Sequence, residues 1–122
     1  MPRLVNDYGF NKISGLSYIE LPEVESLSAF GGFPDLKTAV FKKCSSIDTR
    51  AFWSCPQLES IYFLSSSIVF FPDTYAFRDS PIITSSNTGY IYVPSSLLSL
   101  YQDTYSSYAF SDKFKPIEGD IL

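Results

Sequence analysis

The chain has 122 residues, including 11 Phe and 9 Tyr, a net charge of −4 and an isoelectric point near 4.6. This length predicts one domain with a modest, aromatic-rich core, and the acidic balance argues against a nucleic-acid partner, because neutralising phosphates requires clustered Lys and Arg. The absence of histidine removes the Ser-His and Cys-His nucleophile pairs and the common zinc sites, so no catalytic, cofactor-binding or metal-binding residue is predicted.

Residues 1–14 are predicted to form an N-terminal cap segment, because their apolar positions are only weakly periodic. The apolar side chains available to cover the next segment of the chain are Leu4, Val5, Tyr8, Phe10 and Ile13. Residues 1–12 contain no apolar stretch of the kind found in secretory signals, and no run in the chain approaches the ~20 apolar residues of a membrane-spanning helix. We therefore expect no membrane insertion, and either a cytoplasmic location or incorporation into an assembled particle.

Four short segments alternate apolar residues with other residues at a period of two, which predicts strands with one buried face. These segments are Ile19-Glu20-Leu21, Ala39-Val40-Phe41, Ile61-Tyr62-Phe63 and Ile91-Tyr92-Val93. A further apolar position follows each of the first three, at Leu27, at Ile47, and at either Val69 or Phe70. We interpret these positions as anchors that turn the chain back over the core.

The dipeptide Ala-Phe occurs three times, at spacings of 22 and 25 residues: Ala29-Phe30, Ala51-Phe52 and Ala76-Phe77. In each copy a proline follows the Phe by four residues, and an aliphatic residue follows the proline by two. Self-similarity at this period predicts a solenoid of stacked units, with a parallel ladder of short strands on one side and irregular or helical-turn segments on the other. Phe30, Phe52 and Phe77 are predicted to stack inside it.

The pattern resembles the BspA-like leucine-rich repeats, whose units read roughly L-x-x-I-x-L-P-x-x-V-x-x-I-x-x-x-A-F-x-x-C-x-x-L. The closest unit runs from Ile47 through Ala51-Phe52, Cys55 and Leu58 to Phe63. The first unit is two residues short and has Phe33 where the family has Cys or Asn, and the third has about three extra residues before its Ala-Phe. The resemblance covers residues 15–94 and implies a leucine-rich repeat solenoid of three to four units.

The two cysteines occupy different positions in this pattern. Cys55 falls at the small buried position of the family, which implies a packed, reduced thiol. Cys44 lies between a strand and the following turn, so a disulfide between the two residues stays open.

Residues 95–122 are predicted to form a short C-terminal capping helix and a tail. The helix follows Pro94, with Ser95 or Ser96 as its N-cap, and its residues Leu97, Leu98 and Tyr101 are expected to cover the last unit. The many aromatic residues from 103 to 117 predict that this segment packs on the solenoid or on a partner, whereas residues 119–122 are expected to be a loose end.

Side chains that point away from the core on the strand side predict a partner-binding surface. Its members are Val40, Tyr62, Leu64, Tyr90 and Tyr92. An exposed apolar and aromatic stripe usually marks an interface, and tyrosine brings a large contact area with a polar tip. The alternative stays open: Val and Tyr are good strand formers, and the C-terminal segment could fold back over part of this stripe.

These features predict a non-enzymatic protein-interaction or structural module with no cofactor. Within the resembled family, such units occur in long arrays on bacterial surfaces and as short units in phage genes near the tail. We therefore expect a phage virion subunit (tail, fibre or head decoration), with other virion subunits or a host surface molecule as partner. The alternative is a fragment of a bacterial surface adhesin that binds host protein or glycan.

Overall fold

A parallel five-stranded sheet, with the order β1-β3-β5-β6-β7, dominates the structure, a computed structural model. The strands are β1 Tyr18–Leu21, β3 Thr38–Phe41, β5 Ser60–Phe63, β6 Tyr90–Val93 and β7 Phe114–Pro116. The structure describes residues 17–27, 33–48, 51–52, 55–72, 77, 80–84, 88–108 and 110–117. The predicted ladder of short parallel strands is confirmed. Strand β7 adds one strand to this ladder, and the sequence did not predict it. The predicted N-terminal cap, residues 1–14, lies outside the described residues.

The strands of this main sheet keep one register across its whole width. One level contains Ile19, Ala39, Ile61, Ile91 and Phe114. All five side chains are buried. Side chains alternate between the two faces of a strand, and at this level every strand turns its side chain toward the core. A slip of one residue in any strand would move its apolar side chains to the opposite face, so core burial fixes the register.

A second, smaller ladder is formed by the segments that follow β1, β3 and β5. It consists of β2, Ser26–Leu27, paired in parallel with β4, Ser46–Ile47, and it is extended by a single parallel bridge from Ser46 to Phe70. Leu27 and Ile47 are buried as expected. Of the two alternatives for the anchor of the third copy, Val69 is buried as expected, whereas Phe70 is 58% exposed; Phe71 is buried as well.

Aromatic rings fill the core between the two ladders. Phe52 stacks on Phe77 with ring centroids 5.6 Å apart and an interplanar angle of 7°, as the repeated Ala-Phe predicts; the third member of that stack, Phe30, lies outside the described residues. Phe71 packs against aromatic rings from both halves of the chain: Phe63, Phe77, Tyr101, Tyr105, Phe110 and Phe114. The segment up to residue 117 therefore docks on this chain and is part of its core.

Both cysteines are buried, and both carry free thiols. Cys44 donates a hydrogen bond to the carbonyl oxygen of Ser46 at 3.4 Å. Burial raises the pKa of the Cys44 thiol to about 12, against a smaller opposing effect of the Ser46 backbone. A thiol of this kind is protonated and unreactive at neutral pH, in keeping with a packed structural role.

Two short helices lie between the later strands. Helix α1, Pro81–Thr84, precedes β6, and a 3₁₀ turn, Ser95–Leu97, leads into helix α2, Leu98–Thr104. The predicted C-terminal helix is thus confirmed, but the prediction of Ser95 or Ser96 as its N-cap is wrong. Both serines lie inside the 3₁₀ turn, Pro94 stands at the cap position with φ −55° and ψ 138°, and neither helical segment has a side-chain cap.

Three tyrosine hydroxyls close the second ladder on its open side. The backbone of Phe70 is paired with β4, so the N–H and C=O groups of Val69 and Phe71 point the other way. Val69 donates to Tyr101 at 2.8 Å and accepts from Tyr105 at 2.7 Å; Phe71 donates to Tyr105 at 3.1 Å and accepts from Tyr108 at 3.2 Å. Each backbone group that a further strand would engage is therefore satisfied by a side chain.

The spacing of these tyrosines explains how a helix can replace a strand. Tyr101 and Tyr105 are four residues apart, and four residues of helix rise about 6 Å. Val69 and Phe71 are two residues apart in extended chain, which spans about 6.6 Å. The near match lets successive hydroxyls on one helix face meet successive backbone groups.

Candidate interaction surface

The outer side of the main sheet carries a row of residues that the register places side by side. From one edge of the sheet to the other, this row is Glu20, Val40, Tyr62, Tyr92 and Lys115. We call the outer side of the main sheet, centred on this row, the tyrosine face. Its residues alternate along each strand with buried core residues, so the same register that builds the core also builds the face.

Two tyrosine rings form the centre of the tyrosine face. Tyr62 and Tyr92 stack with centroids 4.6 Å apart and an interplanar angle of 13°, and Tyr90 meets Tyr92 edge-on at 6.5 Å. Burial raises the pKa of Tyr92, and the neighbouring phenols of Tyr62 and Tyr90 raise it further. The Tyr92 phenol is therefore protonated at neutral pH, and it can both donate and accept a hydrogen bond.

Val40 departs from the sequence prediction. It points to the outer side and is absent from the core cluster, yet it is only 1% exposed. Its neighbours in the row, Glu20 and Tyr62, have longer side chains. The prediction that Val40 offers exposed apolar surface to a partner is thus wrong. The other four predicted members, Tyr62, Leu64, Tyr90 and Tyr92, are half-buried on the outer side, and their role in binding stays a prediction.

The β1 edge of the face carries carboxylates that are paired with lysines, and it includes a tyrosine that the predicted stripe omitted. Tyr18 is 42% exposed, and burial of part of its ring together with the adjacent Glu20 carboxylate raises its pKa. Lys42 forms an ion pair with Glu20 at 3.7 Å, and Lys43 forms one with Glu23 at 3.1 Å. Exposed pairs of this kind contribute little to stability, so these side chains remain available to a partner.

The β7 edge is basic, and the sequence did not reveal it. Lys113 and Lys115 place their ammonium nitrogens 4.9 Å and 4.6 Å from the centre of the Tyr90 ring, which is cation–π distance. Lys115 is exposed, and its ammonium pairs with no carboxylate among the described residues. Neither lysine could be assigned to the face from sequence, because β7 itself was not predicted.

Lys113 fixes the loop beside Tyr90. Although it is charged, it is only 6% exposed, and its ammonium donates to the carbonyl oxygens of Thr88 and Gly89, both at 2.8 Å, and of Pro81 at 3.4 Å. Burial lowers the pKa of Lys113, with Asp112 opposing, and the three carbonyls satisfy the three donors of the ammonium. At the basic edge, the Lys113 ammonium is therefore held by carbonyls, whereas the Lys115 side chain is exposed.

Gly89 makes the approach of this loop possible. Its φ is 82°, in the left-handed region, and a Cβ at this position would lie 2.5 Å from the carbonyl carbon of Pro81. Any other residue would push α1 away from the start of β6. The position of Tyr90 at the centre of the basic edge thus depends on this glycine.

The face offers phenol hydroxyls, aromatic rings and the exposed ammonium of Lys115, which suits recognition of another surface. The described residues contain no group of three or more His, Cys, Asp or Glu side chains that could hold a metal ion, and none of their helices has the length and hydropathy to span a bilayer. Comparisons of the chain with protein-family models, with curated proteins and with solved structures gave no match.

Proposed function

We propose that this chain is a short leucine-rich repeat solenoid of the BspA-like kind that acts as a non-enzymatic protein-interaction module, with the tyrosine face as its contact surface. The constant register of the main sheet supports the repeat. The steps between its successive buried residues, Ile19, Ala39, Ile61, Ile91 and Phe114, are 20, 22, 30 and 23 residues. The longest step accommodates α1 and the loop that Lys113 holds.

The observation that carries the binding role is the stacked pair Tyr62 and Tyr92 on the outer side of the sheet. Stacking fixes both rings before a partner arrives, so little side-chain entropy is lost on binding. Half-buried tyrosines combine a large apolar contact with a hydroxyl that finds a polar partner, and such residues dominate binding energy in interfaces.

A protein partner fits this geometry better than a glycan does. The sides of Tyr62 and Tyr92 that face each other are already in contact, at a centroid distance of 4.6 Å. This stacking takes one face of each ring out of reach of a partner, whereas a sugar ring that stacks on an aromatic residue needs an open ring face. Edges and hydroxyls suit the mixed apolar and polar surface of a protein.

A subunit of an assembled particle, such as a phage virion, is the setting we propose, ahead of a fragment of a long surface adhesin. In a long array, the next unit would continue both ladders. Here the hydroxyls of Tyr101, Tyr105 and Tyr108 already occupy the backbone groups of Val69 and Phe71 that a further strand would use. The second ladder is thus closed on that side, which favours a unit of fixed size.

Size fractionation of native material followed by mass spectrometry tests this setting. Co-migration of the chain with a megadalton particle at fixed stoichiometry is expected. A chain that runs only as a free 13.7 kDa species would contradict the particle assignment and would point to a released binding module.

A further inference from the structure

The two ends of the central row of the tyrosine face carry opposite charges, and the carboxylate at the β1 end, that of Glu20, also has an exposed ion pair with Lys42 at 3.7 Å. At the β1 edge the central row begins with Glu20, and at the β7 edge it ends with Lys115; Val40, Tyr62 and Tyr92 lie between them. Tyr62 belongs to β5, the middle strand of the five. Along the row, the residues are therefore acidic (Glu20), apolar (Val40), aromatic (Tyr62 and Tyr92) and basic (Lys115). When the row is reversed about Tyr62, its acidic end and its basic end exchange places.

A surface with this arrangement is complementary to a second copy of itself. Rotating one copy by 180° about an axis parallel to the strands, through Tyr62, lays the two faces together with the row reversed. Glu20 then faces Lys115 of the other copy, Lys115 faces its Glu20, and the tyrosines meet at the centre. A two-fold contact of this kind is isologous, because each residue pair occurs twice.

The charges also favour this arrangement over the second two-fold arrangement of two such faces, in which the axis lies in the plane of the contact but perpendicular to the strands. With the axis perpendicular to the strands, Glu20 would face Glu20 and Lys115 would face Lys115, and like charges opposite each other disfavour a complex. The free ammonium of Lys115, which has no carboxylate partner among the described residues, gains a counter-charge only in the first arrangement.

We propose that the partner of the tyrosine face is a second copy of this chain, paired face to face about a two-fold axis that runs parallel to the strands through β5. This inference rests on the proposed function, since it names the partner of the same surface. Five strands of about four residues cover roughly 24 Å by 13 Å, well below the ~800 Å² per partner of a standard interface. The pair is therefore weak and depends on protein concentration.

Charge exchange between two variants tests the pairing. Glu20→Lys and Lys115→Glu each place like charges opposite each other in their own homodimer, so each should weaken self-association about tenfold or more, because the axis repeats the contact twice. When the two variants are mixed, the heterodimer has two contacts between position 20 of one copy and position 115 of the other. In each of these contacts a lysine faces a glutamate. The mixture should therefore dimerise about as tightly as the unaltered chain.

Sedimentation velocity from about 10 µM to about 1 mM covers the range expected for a weak interface. Asp103→Lys is the matched control, because Asp103 is exposed on α2, whose Tyr101 reaches the second ladder, and this variant should self-associate like the unaltered chain. Circular dichroism confirms that each variant is folded. Raising the salt concentration should weaken the dimer of the unaltered chain, since salt screens the paired charges.

Two results would overturn the proposal. One is a chain that stays monomeric over the whole concentration range; the other is a mixture of folded Glu20→Lys and Lys115→Glu that associates no better than either variant alone. Neither result bears on whether the chain co-migrates with a native particle, so failure of self-pairing and failure of the proposed function are distinguishable.

Discussion

Replacing Tyr105 with Phe removes one hydroxyl and keeps the ring. That hydroxyl donates to the carbonyl of Val69 at 2.7 Å and accepts from the N–H of Phe71 at 3.1 Å, and both contacts are buried. Removing it leaves one buried backbone donor and one buried acceptor without this partner, which costs about 1–3 kcal/mol. The edge-on packing of the ring on Phe71, at a centroid distance of 4.9 Å, is retained, so the loss reports on hydrogen bonding alone.

The matched comparison is Tyr108→Phe. The Tyr108 hydroxyl lies 3.2 Å from the carbonyl oxygen of Phe71 and is partly accessible to water, which can replace it, so this change should cost less than about 1 kcal/mol. Urea denaturation should show a midpoint lower by roughly 1 M for Tyr105→Phe and an unchanged slope. Amide exchange at Phe71 should also accelerate. A loss below about 0.5 kcal/mol in Tyr105→Phe, no larger than that in Tyr108→Phe, would refute the idea that tyrosine hydroxyls replace a strand.

Two further predictions concern the core. Phe52→Ala should destabilise the chain by ~3–5 kcal/mol in urea denaturation, because Phe52 is fully buried between Phe41 and Phe77; a loss below about 1 kcal/mol would contradict the aromatic stack. The free energy of unfolding should fall as the pH rises above about 9. The reason is that the pKa of Cys44 and that of Tyr101 are each raised to about 12 in the folded chain. At a pH between the unfolded and the folded pKa values, the native state holds more protons than the unfolded chain, so a rise in pH favours unfolding. Cys44→Ala together with Tyr101→Phe should flatten this alkaline decline in urea midpoints measured from pH 7 to 11, and an unchanged decline would contradict the assignment.

The sequence predicted the elements whose pattern is local. Alternation around Ile19, Ala39, Ile61 and Ile91 identified four strands of the main sheet, because a period of two is visible within three or four residues. The Ala-Phe copies likewise placed Phe52 on Phe77. In both cases the residues that define the element are neighbours in the chain or recur at a regular spacing.

The sequence did not predict features that depend on where distant segments meet. β7 has only three residues and ends in Pro116, so nothing local marks it as a strand; its pairing with β6 depends on how α2 returns the chain to the sheet. The burial of Val40 on the outer side of the sheet cannot be seen from the alternation within its own strand. The burial of Phe71 next to an exposed Phe70 depends on the bridge between Phe70 and Ser46.

The candidate surface shows the same division. Alternation placed Tyr62, Leu64, Tyr90 and Tyr92 on the outer side, where the structure has them. The basic edge at Lys115 stayed hidden, because a lysine in a C-terminal segment has no visible relation to Tyr90 until β7 joins the sheet. The charge asymmetry of the face, on which the proposed self-pairing depends, is thus a property of the fold.

The tyrosine face as a contact surface is the central claim, and the double variant Tyr62→Ser and Tyr92→Ser tests it most directly. The measurement is the amount of this variant that co-fractionates with the native particle or complex, relative to Leu100→Ser, which changes a residue that is 50% exposed on α2. We expect both variants to be folded, Leu100→Ser to co-fractionate like the unaltered chain, and the double variant to be largely lost from the complex. A well-folded double variant that is retained at the level of Leu100→Ser would show that partners bind elsewhere.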